Sequence, residues 1–175
     1  GDLGFFYHSN TGKEIVGVVD EFIADGAESR SLEPLWFRTW RYLEIHVATA
    51  ASPLTIAGVD AVATAFPLEL KASVDAGDQT LGRIWEVSWR TVQLAAHDTY
   101  MDAPYWEQLQ YVGDTRIDAL LSYALAGDDR LARQAIEHFD RSRCPEGLTQ
   151  CRYPTFEPQY IPPYSLFFVG MVHDF

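Results

Sequence analysis

The sequence has 175 residues and a formal net charge of −12, and 47% of its residues are hydrophobic and 14% aromatic. This length fits one ordinary domain or two small ones, and the apolar content is sufficient for a packed core. The negative charge argues against nucleic acids and anionic membranes as partners, because both are themselves negatively charged.

Residues 1–74 have the patterns of β-structure. Val and Ile are frequent between residues 14 and 22, and the Asp25–Gly26 pair is typical of a turn. Residues 35–47 predict the clearest strand, with large aromatic residues on both faces, so we expect this strand to be covered on each side. Residues 54–67 alternate more weakly and predict one or two further strands.

The pattern changes to helical spacing after a turn at residues 75–78. Asp78 is a suitable N-cap, and Gly127 is suited to end a helix. Helices are predicted over residues 79–97, 114–126 and 129–139, and from residue 164 onward. The second and third are joined by a Gly-Asp-Asp turn, so we expect them to form an αα-hairpin.

The segment from Asp98 to Arg116, DTYMDAPYWEQLQYVGDTR, does not fit an amphipathic helix, because its acidic residues do not recur at helical spacing. Pro104 favours extended geometry at Ala103, which predicts a turn before Glu107. The segment combines carboxylates, which bind hydroxyls and transfer protons, with aromatic faces that can pack against sugar rings. From the residues alone, two interpretations stay open: an acidic, aromatic loop between helices, or a carbohydrate site.

The stretch TYMDAPYWEQLQYVGDTR resembles the signature region of the bacterial alpha-L-rhamnosidases, glycoside hydrolases whose catalytic domain is a barrel of six helical hairpins. Four further blocks resemble the same family and occur in its order. They are LEPLWFRTWRYLEI (32–45), LGRIWEVSWRTVQLAAHDTYM (81–101), AIEHFDRSRCPEGLTQCRYP (135–154) and QYIPPYSLFFVGMVHD (159–174). A single block would be weak evidence, whereas the ordered set covers most of the chain.

The resemblance implies a fold class in which a β-sandwich remnant is followed by an all-α six-hairpin (α/α)6 barrel, incomplete in this chain. Residues 1–74 would be the C-terminal part of the β-sandwich domain. Residues 75–175 would be the N-terminal part of the six-hairpin glycosidase domain. Six hairpins need on the order of 250 residues or more, so we expect the chain to be a fragment.

The resemblance also implies roles for five residues. By position, Glu107 is the general acid in an inverting hydrolysis of terminal alpha-L-rhamnosyl residues. Asp102 and Asp114 match acidic residues that bind the rhamnose hydroxyls, and Tyr111 matches an aromatic residue of the sugar pocket. Trp106 is assigned to substrate binding as well. It stands where many members carry Arg, and this departure leaves the exact sugar open.

A general acid must keep its proton at the working pH, which requires partial burial or a nearby negative charge. For Glu107 the burial could come from the neighbouring aromatic residues, and the charge from Asp102 or Asp114. The general base of the family lies far downstream, so we expect it beyond Phe175. The 175 residues alone are therefore expected to be inactive.

Two alternatives to this function remain. One is a non-catalytic carbohydrate-binding module, and the other is a six-hairpin glycosidase that acts on another sugar. Arg141, Arg143 and Arg152 either pair with surface carboxylates or contact the aglycone at the rim of the site. A carbohydrate is the expected partner, without nucleic acid or membrane, and a homo-oligomer is left open.

No cofactor and no metal site are predicted. Cys144 and Cys151 are expected to be reduced, and the five histidines have no paired spacing with them. No run of about 18 apolar residues occurs. The first ten residues lack the basic and continuous apolar regions of a signal peptide. A soluble protein is therefore expected, in a compartment that the sequence leaves open.

Overall fold

The computed structural model describes residues 17–75 and 77–175. The chain divides into two compact units, Gly1–Asp60 and Ala61–Phe175. The boundary expected after residue 74 stays a prediction.

The described residues contain four α-helices, namely α1 (Gln79–Ala95), α2 (Val112–Leu121), α3 (Arg130–Arg141) and α4 (Pro162–Asp174). A π-helical turn over Ser122–Ala126 extends α2. None of the described helices is both long and apolar enough to cross a membrane.

The β-sandwich predicted for residues 1–74 is wrong in the part of that range that the structure describes. Residues 17–74 contain neither a strand nor a helix. The predicted strands at 35–47 and 54–67 are therefore both absent. The prediction for residues 1–16 lies outside the described residues.

The exposure of the 35–47 segment gives the physical reason for this correction. Leu35 is 104% exposed, Trp40 48% and Leu43 56%, so the large side chains expected to be covered on both faces meet solvent. A strand is stable when its backbone pairs with neighbours and one face is packed, and an isolated strand or hairpin is marginal. Alternating apolar residues predict which side chains could share a face, but they do not supply the layer that covers it.

Helix α1 begins where the sequence predicts. The Asp78 carboxylate accepts hydrogen bonds from the backbone N–H groups of Thr80 and Leu81, at 2.7 and 3.1 Å. Such an N-cap satisfies N–H groups that have no partner inside the helix. The helix ends at Ala95, slightly before the predicted end, and its last turn carries the buried residues Val92 and Ala95.

Helices α2 and α3 form the predicted hairpin. The connection begins at Gly127, whose φ of 60° is left-handed and whose N–H binds the carbonyl oxygens of Ser122 and Tyr123. A side chain would strain that conformation, so glycine suits this helix end. Asp129 is the N-cap residue of α3, and the Asp128 carboxylate accepts a hydrogen bond at 3.1 Å from the backbone N–H of Arg130, the first residue of the helix.

Helix α2 is the central element, because it packs against each of the other three helices. One buried cluster joins α1 to the hairpin, and its members are Leu68, Val92, Ala96, Tyr100, Ala119, Ala126, Leu131 and Ala132. A second cluster joins α4 to the hairpin, and its members are Val112, Ala135, Phe139, Phe168 and Met171. Burial of this kind is the main stabilising contribution in a helical unit.

The chain before α1 is tied to the same helical core. The backbone N–H of Phe66 donates to the Ala96 carbonyl at 2.8 Å, and that of Lys71 donates to the Leu125 carbonyl at 2.8 Å. Leu68 is buried between these two contacts. Residues 66–71 therefore belong to the helical unit.

The four described helices fit the expected incomplete six-hairpin domain, whereas the expected β-sandwich is absent from the described residues before α1. The expected fold class is therefore corrected. For the described residues it is a helical unit without β-structure, and this unit fits part of a six-hairpin domain.

Candidate active site

The segment between α1 and α2 is anchored at its N-terminal end. The backbone N–H of Met101 donates to the Ala95 carbonyl at 2.8 Å, and Ala96 pairs with Tyr100 in an isolated antiparallel bridge. The Tyr100 ring is buried, and its hydroxyl donates to the Ser122 hydroxyl at 2.7 Å. The segment is thereby fixed against the end of α1 and the end of α2.

The chain between Asp102 and Leu109 closes on itself. The Asp102 N–H donates to the Leu109 carbonyl at 3.0 Å, and the Leu109 N–H donates to the Asp102 carboxylate at 3.0 Å. Within this loop the Gln108 N–H donates to the Ala103 carbonyl at 3.0 Å, and Gln108 has a left-handed φ of 54°. The turn predicted before Glu107 is present, and it returns that side chain toward Asp102.

Glu107 is exposed, and its carboxyl group is hydrogen-bonded to that of Asp102. This hydrogen bond is the largest cause of the raised pKa of Glu107, because two carboxyl groups that share a site resist joint ionisation. Partial loss of hydration and the charges of Asp102 and Asp114 raise the pKa further, whereas the charge of Arg152 lowers it. The hydrogen bond with Asp102 therefore contributes more than burial to the raised pKa of Glu107, and burial contributes more than the charge of Asp102 or of Asp114.

Tyr111 is held by a distant part of the chain. It pairs with Arg152 in an isolated antiparallel bridge, flanked by the bonds from Val112 N–H to the Cys151 carbonyl at 3.0 Å and from Tyr153 N–H to the Gln110 carbonyl at 3.1 Å. This pairing places the two side chains together. Nη1 of Arg152 donates to the Tyr111 hydroxyl at 3.2 Å, and the guanidinium carbon lies 5.8 Å from the Tyr111 ring centroid.

Asp114 lies in the first turn of α2, where the helix N-terminus favours negative charge. Partial loss of hydration nevertheless raises its pKa, and the charge of Asp102 adds to this effect. One helical turn later, burial raises the pKa of Asp118 to about 7, with a smaller contribution from the charge of Asp114. Two carboxyl groups therefore lie on one face of α2, in surroundings that favour their protonated forms.

The Tyr111 ring is supported by α4. The Tyr111 and Tyr164 rings meet edge to face, with centroids 6.5 Å apart. A Cβ atom added at Gly113 would lie 3.3 Å from the Tyr164 ring, which is closer than ordinary packing allows. Glycine at this position therefore lets the Tyr164 ring approach the backbone of α2 and contact Tyr111.

Trp106 is 54% exposed, and its ring meets that of Tyr105 edge to face with centroids 4.7 Å apart. Its ring therefore offers an exposed apolar surface, and Trp106 directly precedes Glu107 in the sequence. The structure thus brings Glu107, Asp102 and Asp114 into electrostatic range of one another, and it places Arg152 against Tyr111.

Three further residues belong to this neighbourhood. Arg152 was considered from sequence only as a surface or rim residue, and Tyr164 only as the start of a helix. Asp118 was not considered, although its spacing from Asp114 places both on one helix face. The sequence near Arg152 or Tyr164 does not predict their contacts with Tyr111, because those contacts depend on tertiary pairing.

The remaining ligand-type residues form no metal site in the described ranges. No group of three or more His, Cys, Asp or Glu side chains there is arranged to hold a metal ion. Cys144 is half-buried and Cys151 buried, and neither is part of a disulfide.

Comparisons with known proteins identify the family of the helical unit that carries these residues. Residues 69–168 match the model of the bacterial alpha-L-rhamnosidase 6 hairpin glycosidase domain. The chain is also similar to the crystal structure of a GH78 family rhamnosidase from Bacillus sp. GL1, with 28% sequence identity and a TM-score of 0.57. That similarity covers 61% of this chain and 11% of that one. No curated protein matches the chain.

The family match includes α1, α2, α3 and the first half of α4, and it spans more than half of the sequence. It also contains Asp102, Glu107, Asp114 and Arg152. Through residues 69–168, the chain belongs to the family of the bacterial alpha-L-rhamnosidase six-hairpin glycosidase domain.

Proposed function

We propose that this glycoside hydrolase domain hydrolyses terminal alpha-L-rhamnosyl residues with inversion of configuration, and that Glu107 is its general acid. The observation that supports this most directly is the hydrogen bond between the Glu107 and Asp102 carboxyl groups, with Asp114 nearby. A pKa raised above the ordinary glutamic acid value keeps the Glu107 proton available at higher pH. A general acid requires this property.

In the proposed reaction Glu107 donates its proton to the glycosidic oxygen, so that the aglycone leaves as a neutral alcohol. Water attacks the anomeric carbon from the opposite face and loses a proton to a second carboxylate, the general base. Asp102 and Asp114 accept hydrogen bonds from sugar hydroxyls. Tyr111 and Trp106 offer their aromatic faces to the apolar side of the sugar ring.

The second carboxylate of an inverting enzyme stands about 6.5–9.5 Å from the acid, to leave room for water. Asp102 does not suit this role, because it is in direct hydrogen-bond contact with Glu107. We assign no residue among the 175 to the general base. The 175 residues alone are accordingly expected to give no turnover.

The proposal predicts that the longest natural form of the chain releases L-rhamnose from an aryl alpha-L-rhamnoside as the beta anomer. Proton NMR of the first sugar formed, recorded before mutarotation, measures the configuration. The 175-residue chain, assayed beside it at equal concentration, should release none. Initial formation of the alpha anomer would contradict inversion, and turnover by the short chain would place the base within it.

The same experiment addresses the two alternatives. A panel of aryl glycosides of other sugars is assayed in parallel, because Trp106 stands where many members of the family carry Arg. Turnover of another sugar in preference to rhamnose would favour a glycosidase of different specificity. Saturable binding of rhamnose without hydrolysis of any substrate would favour a carbohydrate-binding module.

A further inference from the structure

Gln108 directly follows Glu107 and has an unusual backbone conformation. Its φ of 54° is left-handed, a region that residues other than glycine rarely adopt. A residue with a side chain stays in this region only where its surroundings hold it there, and such residues are frequent at active sites. The contacts that hold Gln108 therefore bear on the position of Glu107.

The backbone on both sides of Gln108 is hydrogen-bonded across the loop. The Gln108 N–H, which belongs to the peptide group that joins it to Glu107, donates to the Ala103 carbonyl at 3.0 Å. The next N–H along the chain, that of Leu109, donates to the Asp102 carboxylate at 3.0 Å. Because each peptide group is planar, these two bonds restrict the backbone on the C-terminal side of Glu107.

The Gln108 side chain makes a further contact within the same loop. Its Nε2 donates to the Pro104 carbonyl at 2.9 Å. Two consecutive carbonyl groups, those of Ala103 and Pro104, thus accept one hydrogen bond from the backbone of Gln108 and one from its side chain. The side chain is half-buried, so water competes less for this bond than it would at an exposed position. The bond closes the turn that carries Trp106 and Glu107.

We propose that Gln108 is a positioning residue of the candidate active site: its left-handed backbone and its two hydrogen bonds across the loop hold Glu107 in the direction from which it protonates the glycosidic oxygen. The inference rests on the proposed role of Glu107 as general acid. Gln108 itself transfers no proton and contacts no substrate. An acid must lie within hydrogen-bond reach of the atom that it protonates, so a loop in which Glu107 can move loses rate while the acid is still present.

The kinetic test is Gln108→Ala in the longest natural form of the chain. Alanine removes the hydrogen bond to the Pro104 carbonyl and leaves the left-handed backbone without that support. We expect kcat on natural rhamnosides to fall by about tenfold, part of the usual contribution of a general acid, with KM little changed. Aryl substrates with good leaving groups should lose about twofold or less, because they need little protonation. A merely structural role would lower the rate equally on all substrates.

Two further variants complete the series. Gln108→Gly fits the left-handed φ without strain but lacks the side chain, so it replaces Gln108→Ala if that variant does not fold, and the same dependence on leaving group is expected. Gln134→Ala is the matched control. Gln134 lies on α3, and its Nε2 also donates to a backbone carbonyl, that of Asp98 at 2.6 Å, outside the loop. Its replacement should leave kcat unchanged on every substrate.

A carboxyl titration of Glu107 by NMR, with carboxyl-¹³C glutamate, tests the position of the acid without turnover. Glu107→Gln identifies the signal. The hydrogen bond with Asp102 is the largest cause of the raised pKa of Glu107, so this pKa should fall toward its ordinary value in both Gln108 variants as the loop loosens. In Gln134→Ala it should equal that of the wild type.

A wild-type titration of Glu107 in the folded Gln108 variants, or a change in kcat that does not depend on the leaving group, would overturn the proposal. If the protein proves not to be a rhamnosidase, the titration still decides whether Gln108 positions Glu107.

Discussion

Glu107→Gln should lower the turnover of natural rhamnosides by about 10² to 10⁴, the usual contribution of a general acid. Glutamine keeps the size of the side chain but has no acidic proton to transfer to the glycosidic oxygen. Aryl substrates with good leaving groups should lose much less, because their aglycones depart without protonation. Steady-state kinetics over a series of leaving groups, in the longest natural form of the chain, measures both effects.

Glu157→Gln is the matched control for this prediction. Glu157 is an exposed residue between Arg152 and α4, and the proposal gives it no role in the reaction. Its replacement should leave the rate unchanged on every substrate. Wild-type rates on natural glycosides in Glu107→Gln, or an equal loss across all leaving groups, would show that Glu107 is not the acid.

Phe139→Ala should destabilise the helical unit by about 3–5 kcal/mol, the usual cost of removing a buried aromatic ring. Phe139 is 0% exposed and packs with Val112, Phe168 and Met171 where α2, α3 and α4 meet. The loss includes the transfer of the ring out of water and the cavity left between three helices. Denaturant unfolding followed by circular dichroism gives the change in free energy.

Phe156→Ala provides the comparison, because the same side chain is 97% exposed at that position. Its replacement should change the free energy of unfolding by less than about 0.5 kcal/mol. Similar values for the two variants would mean that the cluster around Phe139 does not hold the three helices together.

The local signals in the sequence predicted the helices well. Asp78 and Gly127 mark helix ends through their own side-chain or backbone preferences, and both act as predicted. The strand predicted at residues 35–47 is absent, because a local pattern is not sufficient for a strand. Its pattern is also local, but a strand exists only with a partner, and no strand or helix lies within residues 17–74 to cover it.

In the candidate site, too, local features could be predicted from the sequence and tertiary contacts could not. Asp102 and Glu107 lie in one short loop, so a turn between them could be expected from Pro104. The raised pKa of Glu107 could also be expected from nearby negative charge. The position of Arg152 could not, because it depends on a backbone pairing with Tyr111 that crosses a whole helical hairpin.

That pairing makes the site depend on the folded hairpin. The contact between Tyr111 and Arg152 joins residues 41 positions apart, and α2 and α3 lie in the intervening chain. Closing a flexible loop of this length costs about 3 kcal/mol of chain entropy, beyond the cost of starting it. The packing of α2 against α3 has to offset this entropy for the two residues to stay in contact. The pairing of Arg152 with Tyr111 is therefore a product of the folded hairpin, and a change that loosens the packing of α2 against α3 should weaken it.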